Sequence, residues 1–216
     1  MPVLSSLSVL SPLSVLSVCV VCALRGPGAI EAPPPLAVLP LTVAVARVDG
    51  APVVDRVWID DRVEQANAIL APTGVQVALA EVRAMPEGPA ALEDRKDRDA
   101  LGAHLRPRRV NIFVVASLRD VDEPERLRQG VHWRPRRARQ RHLVIVAAYS
   151  GRDTLAHELG HFLGNPRHSH TPGNLMSYGR GPGLPTLDAA QVRTIRATAR
   201  RMLRSRELVV APPVSP

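Results

Sequence analysis

The sequence predicts a single α+β domain built from about five short strands and several helices. Segments of strand length that are either mostly apolar or alternate between apolar and polar residues occur at 41–47, 75–82, 110–115, 130–134 and 142–148. Two longer segments, which end near residues 70 and 204, carry apolar side chains at helical spacing. The chain has 216 residues, a length that allows one domain once both ends are set aside.

The first half of the domain is predicted to run strand, helix, strand and strand. After the strand at 41–47, Pro52 opens a helix and the turn residues 72–74 close it. Residues 75–82 alternate as a second strand, and a charged connection with room for one short helix follows. The run 110–115 is apolar except for Asn111, which favours a central strand buried on both faces.

The second half is predicted to contain two more strands and two helices. Residues 130–134 are expected to be a short edge strand, and residues 142–148 a buried one. A helix of roughly three turns then begins within residues 150–154 and stops at Gly164. The segment 188–191 resembles a capping box and predicts the start of the last helix.

The short helix contains the sequence His157-Glu158-Leu159-Gly160-His161. Histidines four residues apart lie on one helix face with about 5–6 Å between their Cβ atoms, so their ring nitrogens can converge on one zinc ion. Glu158 stands beside them, where its carboxylate could accept a proton from water at the metal. The alternative interpretation is an amphipathic core helix whose histidines face solvent or accept hydrogen bonds. The motif predicts Zn²⁺ as the cofactor of a hydrolase.

Two further features accompany the motif. Gly164 follows three residues after His161, and the segment Asn174-Leu175-Met176-Ser177-Tyr178 comes ten residues later. In this order they resemble the metzincin clan of zinc metallopeptidases, in particular a matrixin-like or astacin-like bacterial member. The motifs cover residues 153–178, and a looser resemblance extends over residues 41–206.

The resemblance implies a small catalytic domain with a twisted mixed sheet. It implies that Gly164 turns the chain back toward the metal and that Met176 forms an apolar base beneath the ligands. The edge strand at 131–134 is expected to border the cleft and to pair with an extended substrate. This makes His132 a surface or cleft residue, and the loop 179–185 a wall that sets specificity.

Arg167 stands where the metzincin signature has its third histidine. Arginine stays protonated and presents no lone pair, so it cannot bind zinc. A one-residue insertion in the loop lets His168 take that place, with His170 as the alternative. A downstream acidic ligand, as in gluzincins, is the rival arrangement, but neither Glu207 nor Asp188 lies in such a motif. We therefore predict three metal ligands: His157, His161 and His168.

Three imidazoles leave zinc an open position for water, as a catalytic site requires. Glu158 is then expected to act as general base and to pass the proton to the leaving amine. The resemblance implies that Tyr178 binds zinc at rest and swings to stabilise the oxyanion. The alternative is a tyrosine packed beside the Met-turn with its hydroxyl group hydrogen-bonded.

The predicted function is that of a secreted zinc-dependent endopeptidase acting on protein or peptide substrates. Two alternatives stay open at this level. One is a non-catalytic binding module that keeps the fold, for which the insertion at Arg167 is the support in the sequence. The other is a zinc hydrolase that acts on a non-peptide amide.

The ends of the chain differ in composition from the domain. Residues 1–24 lack charged side chains and resemble a signal peptide without the usual basic start, which predicts a secreted or cell-envelope protein without a stable membrane span when mature. Residues 25–40 are a Pro- and Gly-rich linker, residues 41–206 the peptidase domain and residues 207–216 a tail. Both cysteines, Cys19 and Cys22, lie in the signal segment, and Cys22 is a candidate lipoprotein anchor.

The formal net charge is +8 and almost all of the positive charge is arginine. Basic runs at 106–109 and 134–141 favour solvated loops over a nucleic-acid surface, because the chain has only six Phe, Trp and Tyr residues for base stacking. We therefore expect no nucleic-acid partner, and we expect a monomer.

Overall fold

The structure is a computed structural model that describes residues 35–85, 88–136, 141–179 and 181–212. The predicted signal segment at 1–24, with both cysteines, and most of the predicted linker lie outside these ranges. Within them, no helix combines the length and the apolar composition needed to cross a bilayer.

The described residues form nine strands and four α-helices. In chain order they are β1 (Ala37–Val45), β2 (Arg47–Val48), β3 (Ala51–Pro52), α1 (Arg56–Leu70), β4 (Val75–Ala84), β5 (Ala91–Leu92), α2 (Arg95–Ala100), β6 (Val110–Val115), β7 (Ser117–Leu118), β8 (Gly130–Trp133), β9 (Leu143–Ala147), α3 (Thr154–Phe162) and α4 (Ala189–Arg204). Short 3₁₀ turns follow α1 at Ala71–Thr73 and α2 at Leu101–His104.

Five strands form one mixed sheet in the order β4-β1-β6-β9-β8. Strands β4, β1, β6 and β9 are parallel, and β8 pairs with β9 in the antiparallel direction. The predicted α+β class with a mixed sheet of about five strands is confirmed. Strand β6 lies at the centre and β8 at an edge, as their composition predicted.

Strand β1 begins at Ala37, inside the segment predicted as linker. The prolines before Leu41 suggested that no strand could begin there. The pairing of β1 with β6, however, begins only at the Leu41–Val110 pair, after Pro40. The pairing with β6 therefore does not include Pro40, and a strand tolerates proline where its missing N–H is not needed.

Helix α1 also begins later than predicted. Pro52 ends the short β2–β3 hairpin, and Asp55 caps the helix by accepting a hydrogen bond from the Trp58 backbone N–H at 2.8 Å. At the other end of the chain, Leu208 in the predicted tail is buried and the Ala211 N–H donates to the Val38 carbonyl at 2.7 Å. Part of the predicted tail thus packs on β1.

The sheet separates two groups of buried apolar side chains, because successive strand residues point to opposite faces. On one face Ile112 and Val114 of β6 pack in the core formed with α1, α3 and α4. On the other face Phe113 and Val115 pack with the segment that contains β5, α2 and β7. Helix α3 lies beside β8 and β9, which places its motif next to the antiparallel edge of the sheet.

Candidate metal centre and active site

Helix α3, which carries the motif, is buried on almost every side. Of its nine residues only His161 is not fully buried. Gly160 is needed inside the helix, because a Cβ at this position would lie 2.6 Å from the Met176 sulfur. The helix is therefore fixed between the sheet and the segment around Met176.

Gly164 ends the helix and turns the chain. Its φ angle is +99°, a conformation that side-chain-bearing residues rarely adopt. A Cβ there would also overlap the Thr198 hydroxyl on α4. The turn brings the following loop back toward α3, the reversal that the resemblance implied for this glycine.

The loop after Gly164 places His168 against the two helix histidines. The Nε2 atom of His161 lies 3.2 Å from Nε2 of His157 and 3.2 Å from Nε2 of His168. Within the described ranges these three side chains are the group that could hold a metal ion, with ligand atoms all within 4.8 Å of one another. His170 is not in this group, and Arg167 is exposed.

The second ring nitrogens of the helix histidines are bound by backbone carbonyls. Nδ1 of His157 lies 2.7 Å from the Leu175 carbonyl oxygen, and Nδ1 of His161 lies 2.7 Å from the Asn165 carbonyl oxygen. A carbonyl only accepts, so each Nδ1 carries the proton and each neutral ring presents an Nε2 lone pair.

Burial favours the neutral form of His161 and His168. Burial lowers the pKa of His161, partly offset by the Asn165 carbonyl, and burial together with Arg128 lowers the pKa of His168. Lone pairs that face one another at this spacing cannot hydrogen-bond, but they suit a shared cation. Two nitrogens bound to one tetrahedral zinc lie about 3.3 Å apart, so the donor set fits Zn²⁺.

Met176 packs against the helix that carries His157 and His161. It is fully buried, and its sulfur lies against Gly160 in the turn of α3 that joins His157 to His161. Its backbone N–H donates to the Asn174 side chain at 2.9 Å, and its carbonyl accepts from the Ser169 N–H at 2.8 Å. The turn thus supports both the helix and the loop that carries His168.

Glu158 is buried between α3 and strand β8. Glu158 is 5% exposed, and a Cβ atom added at Gly130 would lie 2.9 Å from the Cγ atom of Glu158. Burial raises the pKa of Glu158 to about 8, against smaller lowering effects of the His132 backbone N–H and the Arg128 guanidinium. The carboxyl group lines the same cleft as the three histidines. It is therefore in a position to exchange a proton with a group held there.

Tyr178 lies over the outer histidine and is 67% exposed. Its ring centroid is 4.3 Å from that of His168 and 6.2 Å from that of His157. Arg128, which the sequence analysis did not single out, contacts the Tyr178 hydroxyl group. Arg128 lies in a polar stretch without a motif, and no signal in the sequence joins it to residues fifty positions further on.

The cleft has a volume of about 800 Å³ and strand β8 lines it, as expected for the edge strand. A smaller adjoining pocket of about 290 Å³ is lined by Gly179, Gly181 and Pro185 of the predicted specificity wall, together with Gln129 and Asp153.

His132 lines the cleft but its ring binds a second buried histidine. Its Nε2 lies 2.7 Å from Nδ1 of His142, and Nε2 of His142 lies 3.1 Å from an oxygen of Glu207. Burial first, and nearby positive side chains after it, lower the pKa of each histidine to about 3. The contact with Glu207 is therefore a hydrogen bond from a neutral ring.

No protein-family model matches the sequence, and no curated protein matches it either. Solved structures do match. One is mature mirolysin of Tannerella forsythia in complex with a cleaved peptide, with a TM-score of 0.58, 13% identity and coverage of 82% of this chain and 98% of that one. Another is metalloproteinase-II of Bacteroides fragilis, with a TM-score of 0.53, 18% identity and coverage of 78% of this chain and 55% of that one.

This chain therefore spans about half the length of metalloproteinase-II. At these identities the likeness shows that this chain shares the fold of the two proteins.

Proposed function

We propose that this protein is a zinc-dependent endopeptidase that hydrolyses protein or peptide substrates. The observation that carries the proposal is the convergence of three Nε2 atoms from His157, His161 and His168, with a buried carboxyl group beside them. The shared fold supports it, because one matched protein is a metalloproteinase and the other holds a cleaved peptide.

The three histidines would hold the metal ion. When bound, zinc supplies a Lewis acid that polarises a carbonyl group and acidifies water. The backbone carbonyls of Leu175 and Asn165 keep the helix rings in the tautomer that binding needs. Every ligand is a neutral imidazole, so the site would keep the charge of the cation for the substrate.

Glu158 would act as the general base. It takes a proton from the attacking water and gives it to the leaving amine, a role that suits a carboxyl group with a raised pKa. The backbone N–H of His132 contacts this carboxyl group from strand β8, so the strand that borders the cleft also orients the base.

Tyr178 would donate its O–H to the oxyanion that forms from the scissile carbonyl. Its high exposure and its place over His168 leave the ring free to turn toward a substrate. Its contact with Arg128 gives the resting hydroxyl a partner.

Cleavage of casein by zinc-loaded protein tests the proposal. Wild type should cleave it, and Glu158→Ala should lose all measurable activity while it retains one zinc per chain. Tyr178→Phe should retain zinc and lower kcat about 100- to 1000-fold, the range for removal of one oxyanion donor. Zinc binding without cleavage would instead favour the binding module, and cleavage of small amides without casein would favour a non-peptide hydrolase.

We further propose that residues 1–24 direct export and that the mature protein acts outside the cytoplasm. The support is the uncharged Leu-, Val- and Ser-rich composition of this segment. The N-terminal sequence of protein recovered from the culture medium tests it. A start after residue 24 is expected, and an uncleaved chain retained in the cell would contradict export.

A further inference from the structure

One wall of the cleft, formed by α2 and residues 120–128, presents more arginine than carboxylate side chains to the cleft. Its lining side chains include four arginines and two aspartates: Arg95, Arg98, Arg126, Arg128, Asp120 and Asp122. The three histidines that line the same cleft carry no negative charge, so they do not offset these positive side chains. The wall therefore attracts anionic groups, and most strongly where its charge is least screened by solvent.

Arg128 is the arginine of this wall that a buried group holds in place. Its Nε donates to the Asp120 carboxylate, and Asp120 is only 2% exposed. The other oxygen of Asp120 accepts the backbone N–H groups of Asp122 at 2.9 Å and Glu123 at 3.3 Å. Both oxygens of the Asp120 carboxylate therefore accept hydrogen bonds within the protein, and the carboxylate fixes the guanidinium group of Arg128.

The backbone of Arg128 is fixed as well. Its N–H donates to the Leu118 carbonyl at 2.7 Å, and its carbonyl accepts from the Tyr149 hydroxyl at 2.9 Å. A side chain held at both its backbone and its Nε loses little further freedom when it binds a ligand. Arg128 is therefore preorganised.

Asp120 does not cancel the charge of Arg128. The same carboxylate also faces the buried Arg98, so one negative charge is shared by two guanidinium groups. The backbone N–H of Asp122 and the guanidinium of Arg128 hold the pKa of Asp120 below its usual value, which keeps it ionised. The cluster of Asp120, Arg98 and Arg128 therefore keeps one positive charge.

This charge lies next to the metal centre. The side chain of Arg128 is 40% exposed and contacts the Tyr178 hydroxyl, and the Tyr178 ring is 4.3 Å from that of His168. A guanidinium has five N–H donors, and the Nε that binds Asp120 supplies one of them. The Nη groups remain for the cleft.

We propose that Arg128 is a specificity-determining residue that binds a carboxylate side chain of the substrate close to the scissile bond. The preferred substrates are then peptides with Asp or Glu at that position. An arginine binds a carboxylate through paired, charge-assisted hydrogen bonds, which are strongest where the arginine is fixed and partly desolvated. The inference rests on the proposed peptidase function.

The test uses quenched-fluorescence peptides that differ by one Asp-to-Asn change at each of three positions on either side of the cleaved bond. At one position, wild-type zinc-loaded protein should prefer Asp over Asn by at least about tenfold in kcat/KM. Arg128→Gln should remove this preference, because kcat/KM for that Asp peptide should fall about 10- to 100-fold more than kcat/KM for the Asn peptide. Arg128→Lys should retain part of the preference.

The matched control is Arg56→Gln on α1, which removes one charge from an exposed arginine paired with Asp60. It should keep the full preference for Asp. An equal loss for Asp and Asn peptides in Arg128→Gln, or no preference for Asp in wild type, would overturn the inference while leaving the peptidase function standing.

If zinc-loaded wild type cleaves no peptide, the proposed function fails and peptide binding still tests Arg128. Affinity for the Asp peptides is then measured on Glu158→Ala protein with and without Arg128→Gln. A drop confined to one Asp peptide supports the carboxylate site, and equal affinities refute it.

Discussion

The triad of His157, His161 and His168 and the pair of His132 and His142 use the same side chain in opposite ways. In the triad, Nδ1 of each helix histidine binds a backbone carbonyl, and the Nε2 atoms converge at 3.2 Å. In the pair, His142 uses both nitrogens, one for His132 and one for Glu207. In the triad a backbone carbonyl on Nδ1 leaves Nε2 of each helix histidine available for the proposed metal ion, whereas both nitrogens of His142 are already hydrogen-bonded.

The largest expected contrast is in metal content. His161→Ala should lose stoichiometric zinc and all peptidase activity, because removal of a direct ligand costs more than the 10- to 100-fold loss in affinity caused by removal of an outer partner. His142→Gln should keep one zinc per chain. Metal analysis of dialysed protein measures both, and loss of zinc from His142→Gln would remove the distinction between the two groups.

An effect of intermediate size is expected on acid stability. The folded pKa of His142 is about 3, whereas an unfolded histidine titrates near 6.5. Below pH 6.5 the unfolded chain binds more protons, so stability is complete above that pH and falls as the pH drops toward 3. One such histidine costs about 3 kcal/mol at pH 4.

Urea unfolding of metal-free protein between pH 7 and pH 4 checks this effect. His142→Gln should lose less stability over this range than wild type, since one buried neutral histidine is gone. Both proteins are unfolded in the presence of a chelator, so the release of metal does not contribute to the measured loss of stability. Equal losses in the two proteins would show that His142 titrates normally in the folded state.

The smallest expected effect concerns Phe162, which follows His161 in sequence but stacks on His142 with ring centroids 3.9 Å apart. Phe162→Leu should lower the free energy of unfolding by about 1 kcal/mol through the lost aromatic contact. Zinc content should not change, because the contact belongs to the pair. A lower zinc content in this variant would show that the two groups are coupled through α3.

The sequence predicted best where local geometry fixes the answer. The helix period sets His157 and His161 on one face, and a mostly apolar run predicted β6 at the centre of the sheet. His168 was one of two loop candidates, because a loop has no period and the turn at Gly164 decides which residue returns to the helix. The prediction that these residues bind zinc stays a prediction.

Contacts between distant segments could not be predicted from the sequence. His132 and His142 meet because β8 and β9 pair with His132 opposite Val144, which brings the residue before Leu143 into reach. Asp120 and Arg128 meet through a bend between β7 and β8, and Tyr178 reaches Arg128 from beyond the Met-turn. Asp120 and Arg128 do not interrupt a periodic pattern, so the sequence analysis did not identify them as site residues.

X-ray absorption at the zinc edge of purified wild-type protein tests the account most directly. The triad predicts three imidazole nitrogens at about 2.0–2.1 Å, completed by one further light atom. A zinc-free protein, a sulfur ligand or fewer than three imidazoles would contradict it.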